Sequence, residues 1–285
     1  PLNGGTMVEV RGAGIEAPDA RGLFCQFGSA EPVAATHASR ELVLCVAPAS
    51  HGSVLGAVPV RVLNNDAVYG SVVAFTYRAL PSVHRLHPVA GMRGGGTLVT
   101  VYGSGFIGDM ATVCRFGDVA VPARVLAVGQ LECTSPVPAV VGYVAVEVSS
   151  NGQDFSSTDV HFEYQRPVAI RALEPSRGPI EGGTFVNVTG SGFSARAALL
   201  GYTWCRFNST SVAAAWRSST ELHCVAPRHQ TGVVSVELTQ NEQQHTSDGL
   251  RFEFEVVAAY SVFPNSGPLN GGTMVEVRGA GIEAP

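Results

Sequence analysis

The first eighteen residues, PLNGGTMVEVRGAGIEAP, recur unchanged as residues 268–285, an offset of 267. An internal copy of this kind restricts the chain to an array of like modules, each built from the residues of one period. Two diverged copies lie between, GGGTLVTVYGSGF (Gly94 to Phe106) and EGGTFVNVTGSGF (Glu181 to Phe193). The Gly-Gly-Thr triplets begin at Gly4, Gly95, Gly182 and Gly271, in steps of 91, 87 and 89. Three modules of about 89 residues therefore fill the chain and a fourth begins: residues 1–79, 80–166, 167–258 and 259–285. The first is expected to lack its opening strand, whose counterpart is Tyr260 to Gly267, so that the 285 residues read as one period plus an overlap.

Other features keep the same phase. Pro88, Pro175 and Pro264 each stand seven residues before a triplet. Downstream come Cys25-Gln26-Phe27, Cys114-Arg115-Phe116 and Cys205-Arg206-Phe207. Then follow Cys45-Val46-Ala47-Pro48, Cys133-Thr134-Ser135-Pro136 and Cys224-Val225-Ala226-Pro227. Each module closes on an aromatic alternation, Phe75-Thr76-Tyr77, Phe162-Glu163-Tyr164 and Phe252-Glu253-Phe254.

Period-two runs such as Thr97 to Tyr102 and Val144 to Val148, punctuated by Gly, Pro, Asn and Ser, predict an all-β sandwich in each module. One helical turn is suggested, over Ser194 to Gly201. Charged residues are 14% of the chain against a usual quarter, which argues against charge-rich disorder and helix bundles. The net charge of −5 without a basic cluster argues against nucleic acid, and no apolar run approaches the ~18 residues of a membrane span. All 18 basic residues are Arg, which removes lysine-based Schiff-base and phosphate-loop chemistry.

The order of Pro, Gly-Gly-Thr, valine alternation, Gly-Ser-Gly-Phe, Cys-Arg-Phe and Cys-x-x-Pro resembles the IPT/TIG family. These are immunoglobulin-like domains of plexins, scatter-factor receptors, Rel-type transcription factors and large surface proteins. The resemblance implies tandem early-set immunoglobulin-like β-sandwiches set end to end, used as spacer, adhesive or ligand-binding modules, and no catalysis. Fold alone leaves the role open.

The six cysteines fall as one in-phase pair per module. They predict the disulfides Cys25–Cys45, Cys114–Cys133 and Cys205–Cys224, and hence a secreted, extracellular or cell-surface location. The alternatives are six buried thiols, or zinc, for which the close ligand pairs are lacking. Asn187-Val188-Thr189 and Asn208-Ser209-Thr210 are candidate N-glycosylation sites, with Asn187 expected to point away from the core.

Gly103-Ser104-Gly105-Phe106-Ile107-Gly108 has the spacing of a dinucleotide loop, but another strand is expected next, so it reads as a turn. His84 and His87 read as surface histidines, as does His223; Trp204 and Trp216 are expected in the core or packed between modules rather than in a glycan platform. No enzyme, cofactor or metal is expected. Short proline-bearing junctions at Pro81 and Pro167 suggest a stiff rod advancing ~100 Å per three modules. The expected function is a structural filament, stalk or surface fibre, such as a flagellar hair, built of 267-residue units. The alternative is the stalk of a cell-surface receptor or adhesin ectodomain. Expected partners are further copies of the same repeat or chain, glycans or other surface proteins. Neither nucleic acid nor membrane contact is expected in this segment.

Overall fold

The computed structural model describes residues 1–15, 22–64, 67–108 and 111–281. Glu16 and Ala17 of the first glycine motif, Asp109 and Met110 after the second, and residues 282–285 of the terminal copy lie outside them. Almost every element is a strand, as the alternation requires: Val99 and Val101 are fully buried, while Leu98 and Thr100 face the other way. The suggested helical turn forms at Ala195–Leu199, where the Ser194 hydroxyl accepts from the Ala197 amide at 3.2 Å.

The chain divides into two compact units. One comprises Pro1–His87, Val99–Thr134 and Val144–Phe162; the other comprises Pro88–Leu98, Ser135–Tyr143 and Glu163–Pro285. In the first unit, the first repeat forms one hydrogen-bonded series: Met7–Arg11, Leu42–Val46, Val33–Ser39, Leu23–Phe27, Gly56–Asn64 and Ala67–Tyr77. The second repeat follows the same plan there, as Leu98–Ser104, Gln130–Thr134, Val119–Ala127, Val113–Phe116 and Gly142–Ser149, with Ser82–His87 outside Leu98–Ser104.

In the second unit the third repeat opens into two sheets. One runs Ala169–Glu174, Phe185–Ser191, Glu221–Val225, Ala215–Ser218; the other runs Arg177–Pro179, Arg251–Glu255, Gly232–Thr239, Trp204–Phe207, Thr210–Ala213. In the second repeat a single strand, Val119–Ala127, pairs with both its neighbours. In the third the equivalent segment is two strands, Thr210–Ala213 and Ala215–Ser218, divided at Ala214. The bulge, Val125/Ala127 or Trp216/Ser218, and the amide bond, Ala123 to Thr112 or Ala214 to Thr203, are common to both repeats. Short strands run parallel to the closing strands, Ala90–Met92 to Glu163–Gln165 and Arg177–Pro179 to Glu253–Glu255.

The in-phase motifs now have physical partners. Disulfides join Cys25 to Cys45, Cys114 to Cys133 and Cys205 to Cys224, each linking the strands on either side of that crossing segment. The phenylalanine two residues after the first cysteine meets the closing aromatic strand edge-on. Ring centroids are 5.3 Å apart for Phe27–Phe75, 5.5 Å for Phe116–Phe162 and 5.5 Å for Phe207–Phe252. In the third repeat Phe207, Leu222, Leu238, Phe252 and Phe254 are essentially without solvent contact. The Tyr77 hydroxyl donates to the Pro48 carbonyl at 2.9 Å, tying the closing strand to the Cys-x-x-Pro turn, and burial pushes its phenol pKa up.

That turn also holds the Gly-Gly-Thr segment. Gly96 N donates to Ser135 O, and Ser135 N donates back to Thr97 O, both at 2.8 Å. Reciprocal pairs join Gly5 and Thr6 to Ala47, and Gly183 and Thr184 to Ala226. Gly95 and Gly96 both have left-handed φ, 71° and 77°. A Cβ on Gly95 would lie 2.8 Å from the Pro136 carbonyl carbon, whereas one on Gly96 would meet nothing within 4 Å. The two substitutions should therefore differ. Gly96→Ala should cost about 1–2 kcal/mol from the left-handed backbone alone, and Gly95→Ala should cost clearly more, as read from urea denaturation midpoints. Equal midpoints for the two variants would contradict the close backbone approach.

Candidate functional site

The polar hairpin loops that follow Gly142–Ser149 and Gly232–Thr239 share one construction, with an offset of 90 residues. Asn151 Oδ1 accepts from the amides of Gln153 at 3.1 Å and Asp154 at 2.9 Å, closing a side-chain turn. Asn241 Oδ1 does the same for Gln243 at 3.2 Å and Gln244 at 3.0 Å. Behind each asparagine stands a hydroxyl, Ser149 or Thr239, which also accepts from its amide. Past each loop another hydroxyl, Ser156 or Thr246, accepts from the Val148 or Leu238 amide. Each loop is thus held by its own side chains before it touches anything else.

What each loop touches is the Gly-Gly-Thr strand of the repeat before it. Within the first unit, Gln153 Oε1 accepts from Met7 N at 3.1 Å while its Nε2 donates to Met7 O at 3.2 Å. Within the second, Gln243 makes the same pair with Leu98, both bonds 2.8 Å. A primary amide carries one donor and one acceptor face, so it reproduces the pairing that a neighbouring strand would offer to an exposed edge. The next loop residue takes the threonine. Thr6 Oγ1 donates to Asp154 Oδ2 at 2.7 Å, and Thr97 Oγ1 donates to Gln244 Oε1 at 3.1 Å. Gln244 Nε2 also donates to Gly96 O at 3.2 Å. The two threonines are only 6% and 0% exposed, so these contacts replace hydration rather than add to it.

A charged platform supports each loop. Arg115 pairs with Glu147, and its guanidinium lies 4.0 Å from the Phe155 ring centroid. The counterparts are Arg206, paired with Glu237, and His245 in place of Phe155. Burial, and then the Arg206 charge, lower the His245 pKa, against the opposing pull of Glu237 and a backbone bond from Gln243.

The remaining sequence candidates are dispersed. His84 and His87 are exposed, and among the described residues no group of three or more His, Cys, Asp or Glu is gathered as metal ligands need. Gly103 is required for close packing, since a Cβ there would lie 1.9 Å from Ser82 O; coil, not a helix, follows it. Neither tryptophan is fully buried: Trp204 is half-buried and Trp216 exposed, each with its indole N–H held by a carbonyl, Trp204 to Gly201 at 2.8 Å and Trp216 to Phe193 at 3.2 Å. Asn187 lies on an inner strand of its four-stranded sheet, flanked by Glu174 and His223, with its Oδ1 buried. Asn208 is exposed in the turn between Trp204–Phe207 and Thr210–Ala213, with φ 54°.

An IPT/TIG domain model matches residues 81–164 and 167–254. Plexin-B2 of Mus musculus is 31% identical over 202 residues, covering 68% of this chain and 11% of that protein. Plexin-A2 of Homo sapiens is 26% identical over 188 residues, covering 61% and 10%. The chain thus spans about a tenth of the length of these relatives. Among solved structures, the plexin A4 full extracellular region, domains 1 to 10, aligns with a TM-score of 0.46 at 16% identity, covering 97% of this chain and 30% of that one. Disulfides persist in oxidising compartments, and with the plexin likeness they make this segment extracellular or cell-surface.

Two outcomes are expected at the loops. Gln243→Ala should cost about 1 kcal/mol in urea unfolding, the scale of a net hydrogen bond. Gln243→Glu should cost at least as much, because a carboxylate keeps the acceptor for Leu98 N but sets an anion against Leu98 O. A wild-type midpoint for the glutamate variant would rule out the two-sided pairing. For His245 the sign follows from its lowered pKa. The neutral ring is favoured in the folded state, so this contribution is full above the unfolded pKa near 6.5 and is lost as pH falls below it. His245→Phe, matching Phe155, should shrink the loss in urea midpoint between pH 7.5 and 5; an unchanged loss would remove His245 from the account.

Proposed function

The chain belongs to the IPT/TIG domain family, and from that premise we propose that it is a non-catalytic spacer within the stalk of a cell-surface receptor or adhesin ectodomain. The observation that carries this reading is the doubled loop-on-edge contact, in which each loop fixes the strand of the repeat before it. A spacer transmits position only if its modules do not pivot freely. Default interfaces between tandem domains permit such motion. The sequence likeness to plexins agrees with a receptor ectodomain.

The filament reading rests on the repeated eighteen residues and the short proline-bearing junctions at Pro81 and Pro167, and the relatives do not add to it. For partners we propose other cell-surface proteins. We also place N-glycosylation at Asn208, whose exposed turn leaves the side chain open, in preference to Asn187, whose amide oxygen is buried among flanking strands.

Antibody raised against this segment should label intact cells that express the gene, before permeabilisation. Labelling only after permeabilisation would overturn the ectodomain reading. Purified chain should stay in the supernatant on ultracentrifugation at rising concentration, whereas pelleting into periodic fibres would favour the filament. Peptide mass spectrometry after enzymatic deglycosylation should find Asn208 converted and Asn187 unconverted; the reverse pattern would refute the placement.

A further inference from the structure

The third repeat carries the same docking edge as the first and second, with nothing seated on it among the described residues. Its backing is intact. Gly182 and Gly183 have φ of 78° and 87°, as Gly4 and Gly5 have 73° and 93°. A Cβ on Gly182 would lie 2.6 Å from the Pro227 carbonyl carbon, the same close approach that Gly95 makes to Pro136. Gly183 N donates to Ala226 O and Ala226 N to Thr184 O, both at 2.9 Å. Phe185 then pairs with Val225 on one side, as Met7 pairs with Val46. Its other side turns the N–H and C=O outward, the groups that Met7 and Leu98 give to glutamines.

Exposure marks the difference. Thr6 and Thr97, under their loops, are buried, while Thr184 is only half-buried. Phe185 is 65% exposed, against 45% for Met7 and 43% for Leu98. The strand is preformed, and among the described residues no loop covers its edge.

We propose that the Gly183–Phe185 edge is a docking site for the Asn-x-Gln hairpin loop of another IPT-like repeat. The loop glutamine would pair with the Phe185 backbone, and the residue after it would accept from the Thr184 hydroxyl. The occupant is set by the two filled examples in this chain, one ending in Asp154 and one in Gln244, both of which offer threonine an oxygen. The inference depends on the loop geometry and is independent of the stalk reading, which surface labelling tests separately.

The test uses the full chain, isotope-labelled for amide NMR, and a cyclised synthetic peptide of Ser149 to Phe155 (SSNGQDF) as probe. An unlinked loop with so few contacts should bind in the millimolar range, the effective concentration at which such contacts operate between linked modules. Saturable shifts at the Thr184 and Phe185 amides, and none at the already paired Met7 and Leu98 amides, are expected. They should vanish when the peptide carries alanine in place of the Gln153 residue. The proposal is overturned by an absence of shifts up to several millimolar, by equal shifts with the alanine peptide, or by shifts confined to other residues.

Discussion

A strand at the edge of a sheet leaves every second N–H and C=O pointing away from its neighbour, and those groups must be hydrated or paired. In this chain the pairing at Met7 and Leu98 comes from a glutamine side chain of the following repeat. Much else in each module serves that contact. The glycine pair brings the strand onto the Cys-x-x-Pro turn. The disulfide anchors the strand that leads into that turn. The asparagine, with the hydroxyls at either end, shapes the loop that delivers the glutamine.

Each such contact is modest. Two exposed amide hydrogen bonds and a threonine bond amount to a few kcal/mol at most, since water competes for the same groups. Repetition and intramolecular linkage give them their effect, because tethered modules meet at high effective concentration. A small, directional polar contact also fixes register better than an apolar patch of equal strength, which would tolerate sliding.

The sequence showed the repeat, the β-class and the partnership of the cysteines directly, because these rest on spacing and alternation that any reader of Gly4, Gly95, Gly182 and Gly271 can follow. The meeting of Gly-Gly-Thr with Cys-x-x-Pro was implicit in their shared phase, but their reciprocal backbone bonds arise only once the sandwich brings the two turns together. The loops at Asn151 and Asn241 were harder to see. Polar residues between strands read as ordinary turns, and the pairing partner lies about 145 residues away in sequence, as for Leu98 and Gln243. The legible trace was the 90-residue recurrence of Asn-x-Gln followed by an oxygen-bearing residue. The break at Ala214 was not legible, because the segment carries the same bulge and the same amide bond as its unbroken counterpart around Ala123.

Hydrogen exchange at the Met7 amide supplies the most direct measurement, because that N–H is paired with the Gln153 side chain. Loss of one such bond is worth about a factor of ten in protection. Gln153→Ala should therefore speed exchange at Met7 by about that factor, while the rest of Met7–Arg11 keeps its protection. A Met7 rate unmoved by the substitution would contradict the claim that one repeat caps the strand edge of another.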